Sequence, residues 1–123
     1  MTTFKNLALI ILFSMSAHTQ NLKIISYNIR YDNPADGENR WDLRKDFLCS
    51  QINFYQPDIF GIQEGKLHQL KYMDSALVYY KYIGIGRDPS ANQGEFSAVF
   101  YNEKNFKVIK QSTFWLSETP YKI

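Results

Sequence analysis

Lys23-Ile24-Ile25-Ser26-Tyr27-Asn28-Ile29-Arg30 and, further along, Pro57-Asp58-Ile59-Phe60-Gly61-Ile62-Gln63-Glu64 are the two stretches that decide how this chain folds. Side chains alternate along a strand, so over residues 22–31 Ile25, Tyr27, Ile29 and Tyr31 share one face while Ser26, Asn28 and Arg30 share the other. The second stretch reads as a short strand over 58–64, with Phe60, Ile62 and Glu64 on one face. Between them, Asn33-Pro34 and Asp36-Gly37 mark a loop. Leu43, Phe47, Leu48, Ile52 and Tyr55 then recur at helical spacing, with Asp42, Arg44 and Lys45 turned outward, until Gln56-Pro57 stops the helix. Strand, helix, strand in that order predicts two parallel neighbours joined by a right-handed crossover.

Downstream, Leu67, Leu70, Met73 and Leu77 predict a second helix. A strand is expected over 79–85, followed by a loop punctuated by Gly84, Gly86, Pro89 and Gly94. Strands over 96–101 and 106–116 are expected to pair through the four-residue connection Asn102-Glu103-Lys104-Asn105. The sum is an α/β chain with a mixed sheet of about five strands. A sheet carrying helices on one face needs its other face covered, and no further stretch of these 123 residues does so. The chain therefore reads as the N-terminal part of a longer protein; a complete small domain that oligomerises is the alternative.

Upstream, Lys5 precedes an unbroken apolar run, 7–13, and then the small residues Ser14, Ser16 and Ala17. The run is far shorter than the ~20 residues needed to cross a bilayer. Residues 1–20 read as a signal peptide, which implies a secreted or periplasmic protein, and residues 21–123 as the domain proper.

Composition narrows the function classes. With 45% hydrophobic and 21% charged residues the chain is globular, and 16% aromatics favour large side chains packed on sheet faces. Fourteen Lys and Arg against twelve Asp and Glu leave a net charge of +2, too balanced for binding driven by charge alone to a long nucleic acid. Cys49 is the single cysteine, which excludes an internal disulfide and a cysteine-based zinc site; it reads as a buried inert thiol.

The chemistry points to the strand ends. Asn28 falls late in the first strand and Glu64 at the carboxyl end of the second, the end of an open α/β sheet where ligands bind. A carboxylate ending an apolar strand face is costly to desolvate unless a cation or donor meets it. A carboxamide beside a lone carboxylate suits a hard divalent cation such as Mg²⁺. Read structurally, the same pair is a helix cap and a loop amide. His68, four residues past Glu64, reads as a surface or helix-capping residue, and the Tyr79-Tyr80-Lys81-Tyr82 cluster as sheet packing before base stacking.

These two stretches, together with Arg40-Trp41 and Arg44, Gly84-Ile85-Gly86-Arg87-Asp88, Gly94-Glu95-Phe96-Ser97 and Thr113-Phe114-Trp115-Leu116-Ser117-Glu118-Thr119-Pro120, resemble the opening of the endonuclease/exonuclease/phosphatase superfamily, in a bacterial exported branch. The resemblance implies the N-terminal half of a DNase I-like α/β sandwich and a Mg²⁺-dependent phosphoesterase, with Mn²⁺ as a substitute. It implies that Glu64 is the metal ligand and that Asn28 orients the phosphate or a metal-bound water. Glu95 stands where the nuclease branch keeps an acid bonded to a phosphate-facing histidine. Arg40 and Arg87 become phosphate neighbours or, read structurally, solvated loop charges. The superfamily's phosphate-facing His, Gly-Asp-X-Asn strand and terminal Asp-His pair are absent from residues 1–123, so this chain by itself is expected to be inactive. Its partner is a phosphate ester of unassigned class. The competing reading is a small secreted binding domain that uses an open sheet edge and catalyses nothing.

Overall fold

The computed structural model describes residues 21–88 and 93–122. The expected signal segment, and Pro89 of the expected loop, lie outside the described residues. Strand β1 (Ile24–Asn28) leads through a 3-10 turn (Pro34–Asn39) into helix α1 (Trp41–Tyr55), strand β2 (Ile59–Gly65), helix α2 (Leu67–Ala76) and strands β3 (Tyr80–Ile83) and β4 (Phe96–Asn102). The strands form one mixed sheet in the order β1-β2-β4-β3. β1 and β2 are parallel, with Ser26 opposite Gly61 and Asn28 opposite Gln63, as the strand–helix–strand order requires. β4 runs antiparallel to both β2 and β3.

Alternation sorts each strand between two environments. Phe60 and Ile62 of β2 and Phe96, Ala98 and Phe100 of β4 are buried in one core with Leu48 and Ile52 of α1 and Leu70 and Met73 of α2. Phe60 stacks on Phe100 with ring centroids 4.8 Å apart, and Tyr80 meets Phe60 edge-on at 5.4 Å. The Tyr80 hydroxyl donates to the Pro57 carbonyl at 2.8 Å, so the ring is buried without an orphaned polar atom. Tyr82 lies against Phe100 at 5.2 Å, which makes the tyrosine cluster largely sheet packing, as expected. The opposite face carries Ile24, Ser26, Ser97 and Val99 and is exposed.

Helix α1 buries only part of the expected side, Leu48 and Ile52. Trp41, Leu48, Cys49 and Ile52 face the core, whereas Leu43, Phe47 and Tyr55 are exposed. The helix is apolar on two opposite sides, and the sheet takes the side bearing Trp41, whose ring meets Tyr72 edge-on at 5.8 Å. Arg44, expected outward, is half-buried against the Trp41 ring at 5.3 Å.

The strand expected over 106–116 does not form. The turn does: Asn102 Oδ1 accepts from the Lys104 N–H at 3.0 Å and the Asn102 carbonyl from the Phe106 N–H at 2.9 Å. Beyond it the backbone has no regular structure, and Ile109 and Leu116 are almost fully exposed. A strand needs a neighbour for its N–H and C=O groups, and both edges of β4 are already taken by β2 and β3. No helix among the described residues is long and apolar enough to cross a membrane.

Candidate active site at the strand ends

Because β1 and β2 are parallel, their carboxyl ends lie side by side and bring Asn28 and Glu64 together. Strict alternation would send Glu64 to the Phe60 and Ile62 side. Instead the pairing of β2 with β4 slips between Ile62 and Gly65, and Glu64 takes a left-handed backbone with φ 62°. This bulge swings the carboxylate toward β1, where Asn28 Nδ2 donates to Glu64 Oε1 at 2.8 Å. The expected face for Glu64 is thereby corrected. Glu64 does not cap α2 either, since Lys66 holds the N-cap position. Gly65 is needed where it stands: a Cβ there would lie 2.6 Å from Leu70 Cδ1 and 2.9 Å from Ile62 Cδ1.

The carboxamide of Asn28 is fixed from both ends, because its Oδ1 accepts from the Arg30 N–H at 2.9 Å. Arg30 is itself left-handed, φ 55°, and its guanidinium grips Asp36 through two bonds of 2.7 and 2.6 Å. That hydrogen-bonded pairing holds the Asp36 carboxyl below its usual range. Two further side chains brace this turn, and alternation and helical spacing missed both. Arg44 donates to the carbonyls of Ile29 (2.6 Å), Arg30 (2.6 Å) and Asn39 (2.8 Å). Gln69, wholly buried, donates to the Arg30 carbonyl at 3.1 Å and accepts from the N–H groups of Lys66 at 2.9 Å and Asp32 at 3.2 Å. A glutamine on the inner face of α2, between Leu67 and Leu70, was the visible signal for the second.

Asn28, Glu64, Arg87, Glu95 and Ser97 line one cleft of about 480 Å³, walled on its far side by Thr113, Phe114, Trp115 and Leu116. Glu95 sits on the Ser97 side of the sheet, and its Oε2 accepts from Arg87 Nη1 at 3.1 Å. Arg40, by contrast, stands exposed at the N-cap of α1 and is not among the lining residues. His68 pairs through Nε2 with Asp32 at 2.9 Å rather than with Glu64. Cys49 is buried, and desolvation pushes its thiol up to about 11. A larger depression of about 710 Å³ lies at the opposite strand ends, but its carboxylate, Asp58, is already bound to the Lys23 N–H at 2.8 Å. Size does not choose the site; chemistry does.

The Glu64 carboxylate fits a hard cation. Glu64 is half-buried, receives one amide N–H, and among the described residues forms no ion pair with Lys, Arg or His. Such a carboxylate suits Mg²⁺, which takes oxygen ligands and keeps several waters. Among the described residues no three His, Cys, Asp or Glu side chains gather to hold a metal by themselves.

No protein-family model matches the chain. The fold resembles the crystal structure of the endonuclease/exonuclease/phosphatase from Bacteroides vulgatus, with TM-score 0.81 and 38% identity over 83% of this chain. It resembles the mannosyl-6-phosphatase Bt3783 of Bacteroides thetaiotaomicron with TM-score 0.79 and 43% identity over 82% of this chain. In each case the chain spans 39% of the other protein's length. The CCR4-Not complex 3'-5'-exoribonuclease subunit Ccr4 of Mycosarcoma maydis is 25% identical over 114 residues, 77% of this chain and 17% of that protein. With the mixed sheet and the asparagine–glutamate pair at its strand ends, these likenesses place the chain in the endonuclease/exonuclease/phosphatase family, of whose fold it supplies a part.

Proposed function

We propose that this chain supplies the asparagine–glutamate part of the active site of an exported, metal-dependent phosphoesterase. The observation that carries this reading is the 2.8 Å Asn28–Glu64 pair, a half-buried carboxylate with an amide donor and no ion-paired side chain among the described residues. In this reading Glu64 holds Mg²⁺, or Mn²⁺ in its place. Such an ion offsets charge on the phosphoryl oxygens and makes its bound water a better nucleophile. Asn28 keeps Glu64 Oε1 directed through one amide N–H, and its second N–H is a donor for a phosphate oxygen. Arg87 brings positive charge to the cleft wall through its bond to Glu95, and Glu95 itself is assigned to orient a phosphate-facing histidine. Arg40, exposed and outside the cleft lining, is read as a solvated loop charge. The likeness to a mannosyl-6-phosphatase supports a sugar phosphomonoester as the substrate.

The test is Glu64→Gln in the whole gene product, which keeps the shape and removes the charge. Mg²⁺-dependent turnover of a hexose 6-phosphate should fall about 100-fold or more with an unchanged circular dichroism spectrum. Full turnover in that variant would remove Glu64 from the metal. One carboxylate retains Mg²⁺ only weakly, so the 123-residue chain alone should turn over no phosphate ester; turnover by it that Glu64→Ala abolishes would overturn this. Export rests on the order of Lys5, the apolar run 7–13 and the small residues after it. Intact mass of the exported protein should place the mature start near Asn21, and recovery of the uncut chain from the cytosol would contradict it.

A further inference from the structure

We propose that Gln69 is a positioning residue whose buried carboxamide closes a ring of hydrogen bonds through Asn28 and Glu64 and so sets the distance between them. The inference rests on the reading of that pair as the reactive one. The ring can be followed atom by atom. Gln69 Nε2 donates to the Arg30 carbonyl at 3.1 Å, and the Arg30 N–H donates to Asn28 Oδ1 at 2.9 Å. Asn28 Nδ2 donates to Glu64 Oε1 at 2.8 Å. Two residues past Glu64, the Lys66 N–H returns to Gln69 Oε1 at 2.9 Å.

The symmetry explains why one amide serves. Arg30 lies two residues beyond Asn28, and Lys66 two residues beyond Glu64, so Gln69 holds equivalent points on the turns that follow β1 and β2. A carboxamide carries a donor and an acceptor on one planar group, so it can take a carbonyl from one turn and an N–H from the other. Gln69 is 0% exposed, so water does not compete for these bonds. Asp32 adds a third tie at 3.2 Å, and Arg44 grips the Arg30 carbonyl from the other side at 2.6 Å. Both turns carry a left-handed residue, Arg30 and Glu64, and neither is held by regular strand pairing at that point.

A purely structural role would cost stability and nothing else, and the experiment separates the two. Gln69→Leu is compared with Tyr80→Phe, which removes a buried hydrogen bond to Pro57 at the far end of the same sheet. Both are made in the whole gene product, and Tm, kcat and KM for a hexose 6-phosphate with Mg²⁺, and the ¹⁵N side-chain amide resonance of Asn28, are measured. Gln69→Leu should lower kcat about tenfold with KM nearly unchanged and shift the Asn28 amide resonance; Tyr80→Phe should lower Tm and leave both alone. If Gln69→Leu does not fold, Gln69→Glu carries the test: it retains acceptors for Lys66 and Asp32 but sets a carboxylate oxygen against the Arg30 carbonyl in place of the donor, and should shift the same resonance. A Gln69 variant that loses Tm while keeping kcat and the Asn28 resonance overturns the proposal. Turnover that survives Glu64→Gln, together with a shifted Asn28 resonance in Gln69→Leu, would overturn the catalytic reading and leave the coupling standing.

Discussion

The two faces of the sheet are made by the same strands and live in different worlds. Phe60, Ile62, Phe96, Ala98 and Phe100 point to the helices and are each at most 2% exposed, while Ile24 and Val99 on the other face are 64% and 39% exposed. A face with large side chains fixed in contact is bought with apolar area; the other has no such area to lose. The groups proposed as reactive follow the second face, since Asn28 continues the row of Ser26, and Glu95 the row of Ser97. The difference teaches that the helix side carries the stability of this chain, while the other side holds the groups proposed for its chemistry.

Three measurements press on that contrast. Phe100→Ala, on the helix side, should cost about 3–5 kcal/mol in denaturant unfolding, because it leaves a cavity against Phe60, Tyr82 and their neighbours. A loss below about 1 kcal/mol would mean that the core is not closed there. An intermediate effect is expected from Cys49, on the same side. Burial raises its pKa from 9.0 to about 11, so folding favours the neutral thiol. Its contribution to stability is complete below pH 9 and is lost as pH rises from 9 to 11. Tyr72, raised from 10.0 to about 12 chiefly by its hydrogen bond to Asp46, adds a later loss between pH 10 and 12. A Tm–pH curve should therefore fall from about pH 9 in the natural chain, and in Cys49→Ala only from about pH 10; coincident curves would show that the thiol is not desolvated. The smallest effect belongs to Val99→Thr on the open face, about 0.5 kcal/mol or less in the 123-residue chain. A larger loss would show that something covers that face, since a hydroxyl buried there would cost more.

Much of this arrangement was legible. The β1–α1–β2 unit follows from alternation, helical spacing and Gln56-Pro57, and α2 buries Leu70 and Met73, with Leu77 just past its end, as their spacing predicts. Asn28 and Glu64 were readable as residues at strand ends. What was not readable is how they meet: period-two alternation has no symbol for a bulge, and a left-handed φ at a glutamate leaves no mark in composition. Glu64 therefore appeared on the wrong face. In helix α1 Leu48 and Ile52 were read correctly but Leu43, Phe47 and Tyr55 were not, because a helix apolar on two sides does not say which side the sheet will take. Arg44 and Gln69 were hidden by their polarity, since a polar residue inside a helix reads as surface unless its backbone partners are known. The segment over 106–116 has strand-like composition, but composition does not count the edges available, and β4 had none left.

The backbone at position 64 sets folding and chemistry at odds. A non-glycine residue held in the left-handed region costs about 1–3 kcal/mol, and glycine adopts that conformation freely. Any selection that rewards heat resistance alone should thus enrich Glu64→Gly, gaining stability at the place where the proposed metal site needs its carboxylate. Thermostable variants drawn from such a library will be the most robust folders and the first to have lost the Asn28 partner, so a hunt for hardier forms of this protein has to screen for function at every round.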